Sequence, residues 1–147
     1  MLPPRFQFGF RFVVLARQWR RTLDEQLLRA GLSDATWTTL IHLQQAGDGI
    51  TQKDLAARLG LDASSLVRLI DILAGQGLVE RRPGEHDRRA RQLFLTPAGR
   101  ERVAALREFL IAAETEMLAD LSDRELEGML DAFARIEAGL ARLRGGA

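Results

Sequence analysis

Apolar residues recur at helical spacing along most of the chain, and small polar residues mark where several helices begin. The start signal is a polar N-cap that follows an apolar residue and precedes another at the fourth helical position. It occurs four times, with caps at Ser33, Thr51, Asp62 and Ser122. A fifth start is Thr96-Pro97, since proline is well tolerated at the first helical position. The pattern predicts a mainly helical protein.

Continuing from these starts, the apolar periodicity predicts six helices and one hairpin. The approximate bounds of the helices are 10–30, 34–45, 51–59, 63–75, 97–119 and 123–143. Between the fourth and fifth helices, the runs 78–82 and 91–95 have strand character and flank Pro83-Gly84 and a polar loop. These features predict a β-hairpin with a long charged tip.

The third and fourth predicted helices are separated by a turn of about three residues around Gly60 and are followed by the basic hairpin. This order is typical of a helix-turn-helix with a wing, which binds duplex DNA. The apolar stripe of 63–75 leaves Ser64, Arg68 and Asp71 on its outward face. Arg68 could therefore contact guanine with both ends of its guanidinium. The alternatives are that Arg68 is a solvated charge or pairs with Asp71.

The hairpin tip carries the second part of the DNA-binding prediction. Residues 81–91 hold five arginines against two acidic residues, a local charge of +3. Asp87 can hold a neighbouring guanidinium in one rotamer, which favours its entry into a narrow minor groove. The alternative is an ordinary solvated turn. The predicted DNA-binding residues are Gln52, Ser64, Ser65, Arg68, Arg82, His86, Arg88, Arg89 and Arg91, with Asp87 supporting the wing.

Composition limits the other classes of function. The 147 residues carry a net charge of only +1 and no cysteine, which excludes disulfides and thiolate metal sites. With two histidines, His42 and His86, we expect no metal site, no cofactor and no enzyme. No apolar run is long enough to span a bilayer and no signal peptide is recognisable, so a cytoplasmic location is expected.

Five stretches together resemble the MarR family of bacterial winged-helix repressors, most closely its SlyA-type members. They are residues 15–20, 36–40, 65–68, 77–81 and 87–96, the last containing the Asp-x-Arg wing signature at Asp87 and Arg89. The resemblance implies an obligate homodimer on palindromic double-stranded DNA. It implies that Arg89 probes the minor groove while Ser64, Ser65 and Arg68 contact the major groove. Ala63 departs from the Pro or Gln of SlyA-type members, so the recognised base sequence does not carry over.

Dimerisation also has support from helix length, because helices of about 20 residues extend about 30 Å, beyond what a small winged domain covers. We therefore predict one domain, 1–147, with dimerisation helices at about 6–30 and 97–143 and the winged helix-turn-helix at about 34–95. The predicted interface residues are Phe8, Phe10, Phe12, Leu110, Met117, Phe133 and Leu140. The alternative is a monomeric helical bundle that buries these side chains in its own core.

The resemblance further implies an effector. In this family, small phenolic or aromatic carboxylate molecules can bind between the dimerisation helices and the winged domain and disfavour the dimer whose recognition helices are spaced for DNA. The matching positions are Arg17, Trp37, Ile41 and Arg68, and an arginine beside a tryptophan suits a planar anion. Trp37 is equally explained as a core residue. The alternative functions are a regulator without an effector and a helical protein-interaction module.

Overall fold

The computed structural model describes residues 1–32 and 36–145. Within these ranges the elements are α1 Pro4–Arg29, α2 Trp37–Ala46, β1 Ile50–Thr51, α3 Gln52–Leu59, α4 Ala63–Gly75, β2 Val79–Pro83, β3 Arg91–Leu95, α5 Pro97–Met117 and α6 Asp123–Leu143. The predicted fold class, a mainly helical winged helix-turn-helix, is confirmed. No helix among the described residues has the length and apolar character to cross a membrane.

The two helices of the helix-turn-helix begin at the predicted caps. Thr51 Oγ1 accepts a hydrogen bond from the Asp54 backbone N–H at 3.1 Å, and Asp62 Oδ1 accepts one from the Ser65 backbone N–H at 2.7 Å. Each bond satisfies an amide that has no partner within its helix. The predicted cap Ser33, like the predicted start of the second helix at 34, lies outside the described residues.

The two long C-terminal helices also begin where the sequence predicts. Ser122 and Glu125 form a reciprocal capping box at the start of α6. At α5, Thr96 Oγ1 accepts from the Gly99 backbone N–H at 3.0 Å and donates to the Gly77 carbonyl at 2.6 Å. Thr96 therefore starts α5 and also ties it to the residues that precede β2.

The first helix begins earlier than predicted, at Pro4 instead of about residue 10. The phenylalanines at every second position from 6 to 12 have the period of a strand, which hides the helix. Within α1 they pair at a spacing of four residues. The ring centroids of Phe6 and Phe10 are 5.3 Å apart, and those of Phe8 and Phe12 are 5.7 Å apart.

The hairpin belongs to a three-stranded antiparallel sheet with strand order β1-β3-β2. β1 was not predicted, because a strand of two residues has no detectable periodicity. Ile50 pairs with Leu93 and Thr51 with Gln92, while Arg81 of β2 pairs with Leu93 from the other side. β1 thus joins the start of α3 to the base of the wing.

The compact unit Met1–Ile111 contains the core that supports the helix-turn-helix. Its largest fully buried apolar side chains are Leu27, Leu40, Leu55, Leu66, Ile70, Leu73, Leu93, Val103 and Leu106. Leu110, predicted at a dimer interface, is only 8% exposed. Leu110 therefore belongs to the core of this unit, and its place at a dimer interface stays a prediction.

The second compact unit, Ala112–Ala147, contains the end of α5 and all of α6. No residue of α6, described from end to end, is buried in the single chain. Its exposed apolar side chains are Met129, Leu130, Phe133, Ile136, Leu140 and Leu143. Such a continuous apolar stripe indicates a surface that a partner covers.

The first prediction concerns Gly99, where α5 approaches the start of β2. A Cβ at Gly99 would collide with the Leu78 carbonyl oxygen, which accepts a hydrogen bond from the Thr96 backbone N–H at 3.1 Å. We expect Gly99→Ala to lower the free energy of unfolding by about 1–3 kcal/mol, as overpacking does. The measurement is urea unfolding.

Gly128 in α6 provides the matched control for Gly99, because a Cβ there meets nothing within 4 Å. We expect Gly128→Ala to stabilise the protein by up to about 1 kcal/mol through helix propensity. Equal effects of the two substitutions would show that the close approach at Gly99 is not a packing constraint.

The second prediction concerns His42 on α2. Its pKa lies below the ordinary value of 6.5, because burial disfavours the charged form and Arg58 and Arg20 repel it. Its buried Nδ1 atom has no hydrogen-bond partner among the described residues. As the pH falls, the unfolded chain therefore binds a proton at His42 before the folded chain does. This favours the unfolded state, so the free energy of unfolding decreases as the pH falls from 6.5 toward the lower folded-state pKa.

We expect urea midpoints of the wild type to fall between pH 7 and pH 5.5, and His42→Gln to remove most of that fall. His86→Gln, at the exposed hairpin tip, is the control and should keep the wild-type pH dependence. The same pH dependence in His42→Gln as in the wild type would contradict the assignment.

Candidate nucleic-acid interface

The turn between α3 and α4 is formed by residues 60–62. Gly60 has a φ of +67°, a left-handed conformation that favours glycine, and the Leu61 backbone N–H reaches back to the Ala56 carbonyl at 2.9 Å. Asp62 then caps α4. On either side of the turn, Leu55 and Leu66 are fully buried. The position of the α4 N-terminus is therefore fixed by both backbone and core contacts.

The N-terminus of α4 carries the predicted residues Ser64 and Ser65. Asp62 Oδ1 accepts hydrogen bonds from the Ser65 backbone N–H at 2.7 Å and from the Ser64 hydroxyl at 2.8 Å. These bonds hold the pKa of Asp62 below its ordinary value. The capping carboxylate thus occupies one of the backbone amides at the start of α4 that would otherwise be free. Ser64, having donated its proton, presents its oxygen as an acceptor.

Arg68 lies one turn further along α4 and is exposed. No hydrogen bond or ion pair to Arg68 appears among the described residues. The alternative partner Asp71 is bonded elsewhere, to Arg81 at 2.6 Å. The Arg68 guanidinium is therefore available to a ligand.

Arg81 is a residue that the sequence analysis did not single out. Its Nε donates to Gln52 Oε1 at 2.6 Å, and its Nη2 donates to the Val67 carbonyl at 3.2 Å. Nη2 also pairs with Asp71 Oδ1. One guanidinium therefore joins β2 to α3 and α4. The signal that could have found it is strand alternation, which places Arg81 on the opposite face of β2 from Glu80 and Arg82.

Arg82, predicted to bind DNA, takes part in the packing of the wing base. Its guanidinium lies over the Phe94 ring, 4.1 Å from the centroid. It also donates to both carboxylate oxygens of Glu80, at 3.3 and 3.2 Å. These bonds hold the pKa of Glu80 below its ordinary value. Arg82 would have to leave this pair to bind a phosphate.

The tip of the wing exposes His86, Arg88, Arg89 and Arg91. Asp87 supports this tip through the backbone, since its Oδ1 accepts from the Arg89 backbone N–H at 2.9 Å. The expectation that Asp87 holds a guanidinium differs from this structure, because the nearby amide takes the carboxylate oxygen instead. The turn therefore has a defined backbone while its arginine side chains project into solvent.

A cleft of about 800 Å³ separates the wing tip from the start of the helix-turn-helix. Gln52, Asp87, Arg89 and Arg91, four of the predicted residues, line it together. Its other lining residues are Thr51, Lys53, Asp54, Ala56, Ala57, Leu61, Ala63, Val67 and Ala90. Lys53, the only lysine of the chain, was not predicted as a site residue. The cleft is open, lined by basic groups and flanked by α4 and the wing.

The predicted effector residues are arranged differently from the expectation. Trp37 is 6% exposed, and its indole N–H donates to Asp24 Oδ1 at 2.8 Å. The arginine over its ring is Arg20, 4.8 Å from the centroid, whereas Arg17 is exposed to solvent and Ile41 is half-buried. Helical spacing explains the difference, because Arg20 and Asp24 lie one turn apart and form an ion pair at 3.2 Å.

Comparison with known proteins finds that a model of the MarR family matches residues 30–90. The crystal structure of the transcriptional regulator PA3341 is 34% identical, with a TM-score of 0.81, and the match covers 92% of this chain and 98% of that one. CouR from Rhodococcus jostii RHA1, bound to p-coumaroyl-CoA, is 26% identical with a TM-score of 0.74 over 88% and 90% of the two chains. A mutant of MarR from E. coli, complexed with operator DNA, is 23% identical with a TM-score of 0.73 over 88% and 93%.

Proposed function

The chain belongs to the MarR family of transcriptional regulators, and from this membership we propose that it acts as a homodimer that binds a palindromic operator and represses transcription there. The observation that carries the proposal is the cleft between α4 and the wing. Ala63 and Val67 of α4 line one side of it, and Arg89 and Arg91 of the wing line the other. Arg68 and Arg88 are exposed on the same two elements.

The dimensions of B-DNA suit this arrangement. A major groove about 12 Å wide accepts a helix, and the neighbouring minor groove lies across one sugar-phosphate backbone. With α4 in the major groove and Arg89 in the minor groove, that backbone crosses the cleft. Lys53 and Arg91, which line the cleft, then contact phosphates. Arg68 contacts base edges, so affinity and sequence preference come from different residues.

The homodimer is supported by two exposed apolar surfaces that lie in or next to segments of opposite charge. Residues 1–21 contain five arginines and no acidic residue, and Phe6, Phe8, Phe10 and Phe12 are exposed there. Residues 114–131 carry a local charge of −6, next to the exposed apolar stripe of α6. In a two-fold pair these surfaces can cover each other between copies. The symmetry then separates the two α4 helices by about one DNA turn, roughly 34 Å.

Repression follows from occupying the operator, and we propose that a planar aromatic anion relieves it. Arg20 over the Trp37 ring supports this ligand class, with Arg20 taking the role expected of Arg17. The resemblance at residues 65–68 and 87–96 favours membership of the SlyA-type subgroup. Titration of an operator complex with a panel of aromatic carboxylates tests the release, and the absence of any displacement would contradict it.

The third prediction distinguishes the roles of Arg89 and Arg68. Both variants are measured on an operator selected from random duplex DNA. Arg89→Ala should weaken binding to all duplexes. It should also lower the slope of log K against log salt by about 1.8, because each phosphate contact contributes about 0.9 and the dimer has two copies. Arg68→Ala should also relax the preference at one position of each half-site by about 1–3 kcal/mol.

Fluorescence anisotropy at several salt concentrations, on the operator and on its single-position variants, provides the salt slope and the base preference. Unchanged binding by both variants would contradict the docking of α4 and the wing. Binding that barely responds to salt in the wild type would instead favour a helical protein-interaction module.

The fourth prediction concerns the dimer. Leu140 lies in the exposed apolar stripe of α6, so Leu140→Asp should place a charge in the interface and convert the dimer to a monomer in light scattering. Ala138→Asp adds the same charge on the opposite face of α6 and should leave a dimer. A monomeric wild type would contradict the proposal directly.

A further inference from the structure

We infer that Arg81 is a positioning residue for operator binding, which fixes α4 relative to the wing without contacting DNA itself. The inference rests on the proposed function. Arg81 lies in the middle of β2, and its side chain is 25% exposed. The wing-tip arginines, by contrast, project into solvent.

The guanidinium of Arg81 joins β2, α3 and α4, which must keep one relative orientation to contact DNA together. It donates to the Gln52 side chain at the first residue of α3, to the Val67 carbonyl in α4 and to Asp71 one turn later. A guanidinium is planar and its donors have fixed directions. Satisfying all three acceptors therefore specifies one orientation of α3 and α4 relative to β2.

The contacts on α4 flank the residue that is proposed to contact bases. Val67 directly precedes Arg68, and Asp71 follows it by three positions. A bidentate contact between Arg68 and guanine requires donor–acceptor distances near 2.9 Å and good alignment. A small rotation of α4 relative to the wing would break that contact while Arg89 remained in its groove. Arg81 opposes this rotation.

Gln52 has a corresponding role. It was predicted to bind DNA, but its Oε1 accepts from Arg81 at 2.6 Å. Its amide nitrogen therefore points away from that bond, at the wall of the cleft. Arg81 thus orients an uncharged polar side chain that can donate to a phosphate at the start of α3.

Asp71 provides the deciding test, because two explanations of its role predict opposite results. Its carboxylate is 60% exposed on the outward face of α4. If Asp71 were only a charge near DNA, Asp71→Asn would strengthen binding to every duplex by removing repulsion. If it holds Arg81, the same substitution weakens operator binding. We expect a loss of roughly tenfold, within the range of coupling between contacting residues.

The expected result for Asp71→Asn is therefore weaker operator binding together with equal or stronger binding to a random duplex, measured by anisotropy with the full-length protein. Operator binding that is unchanged or stronger would overturn the inference. Thermal unfolding and light scattering of the same samples establish that the variant is folded and dimeric.

Arg81→Gln gives a second readout that a DNA contact would move differently. We expect weaker operator binding with the wild-type salt slope, since no phosphate contact is lost. A slope lower by about 1.8 would mean that Arg81 binds phosphate and would overturn the inference. Arg100→Gln, which removes one positive charge and one ion pair, to Asp48 at 2.8 Å, at a residue with no assigned contact to DNA, is the control for the loss of charge.

The double variant Arg81→Gln with Asp71→Asn completes the cycle. Its loss of operator affinity should be smaller than the product of the two single losses, because both remove the same ion pair. Multiplicative losses would overturn the inference. Failure of the proposed function is distinguishable from all these outcomes, because the wild type would then bind no duplex in a salt-dependent manner.

Discussion

The proposed DNA-binding surface depends on the separation between α4 and the β2–β3 hairpin. Two kinds of contact maintain it. Leu66, Ile70 and Leu73 are fully buried along one side of α4, and the Arg81 guanidinium holds the same helix through Val67 and Asp71. Apolar burial supplies stability but no direction, whereas the guanidinium specifies an angle. A rigid frame of this kind lets side chains on both elements bind at once.

Two apolar surfaces of the protein stay exposed in the single chain. The N-terminal half of α1 and the stripe of α6 expose large apolar side chains, and their surroundings carry opposite charge. A soluble monomer rarely exposes apolar patches of this extent. The proposed dimer interface and the proposed DNA-binding cleft are therefore linked, because two-fold pairing would set the distance between the two α4 helices.

Much of this organisation could be predicted from the sequence, because local signals specify it. The caps at Thr51, Asp62 and Ser122 and the apolar period of α4 predict the helix-turn-helix with close bounds. Features that depend on long-range contacts could not be predicted. The Arg81 contacts span 14 and 29 residues in sequence, and β1 exists only through its pairing with β3. The arginine over the Trp37 ring differs from the expectation for a similar reason, since Arg20 and not Arg17 packs there.

In the proposed complex, two copies present α4 and an arginine-tipped wing to one side of a duplex. Hydroxyl-radical footprinting on a selected operator distinguishes this arrangement from others. We expect two equivalent protected regions with centres about one helical turn apart on the same face of the DNA, each flanked by protection in the minor groove. A single protected region, or protection without two-fold symmetry, would contradict it.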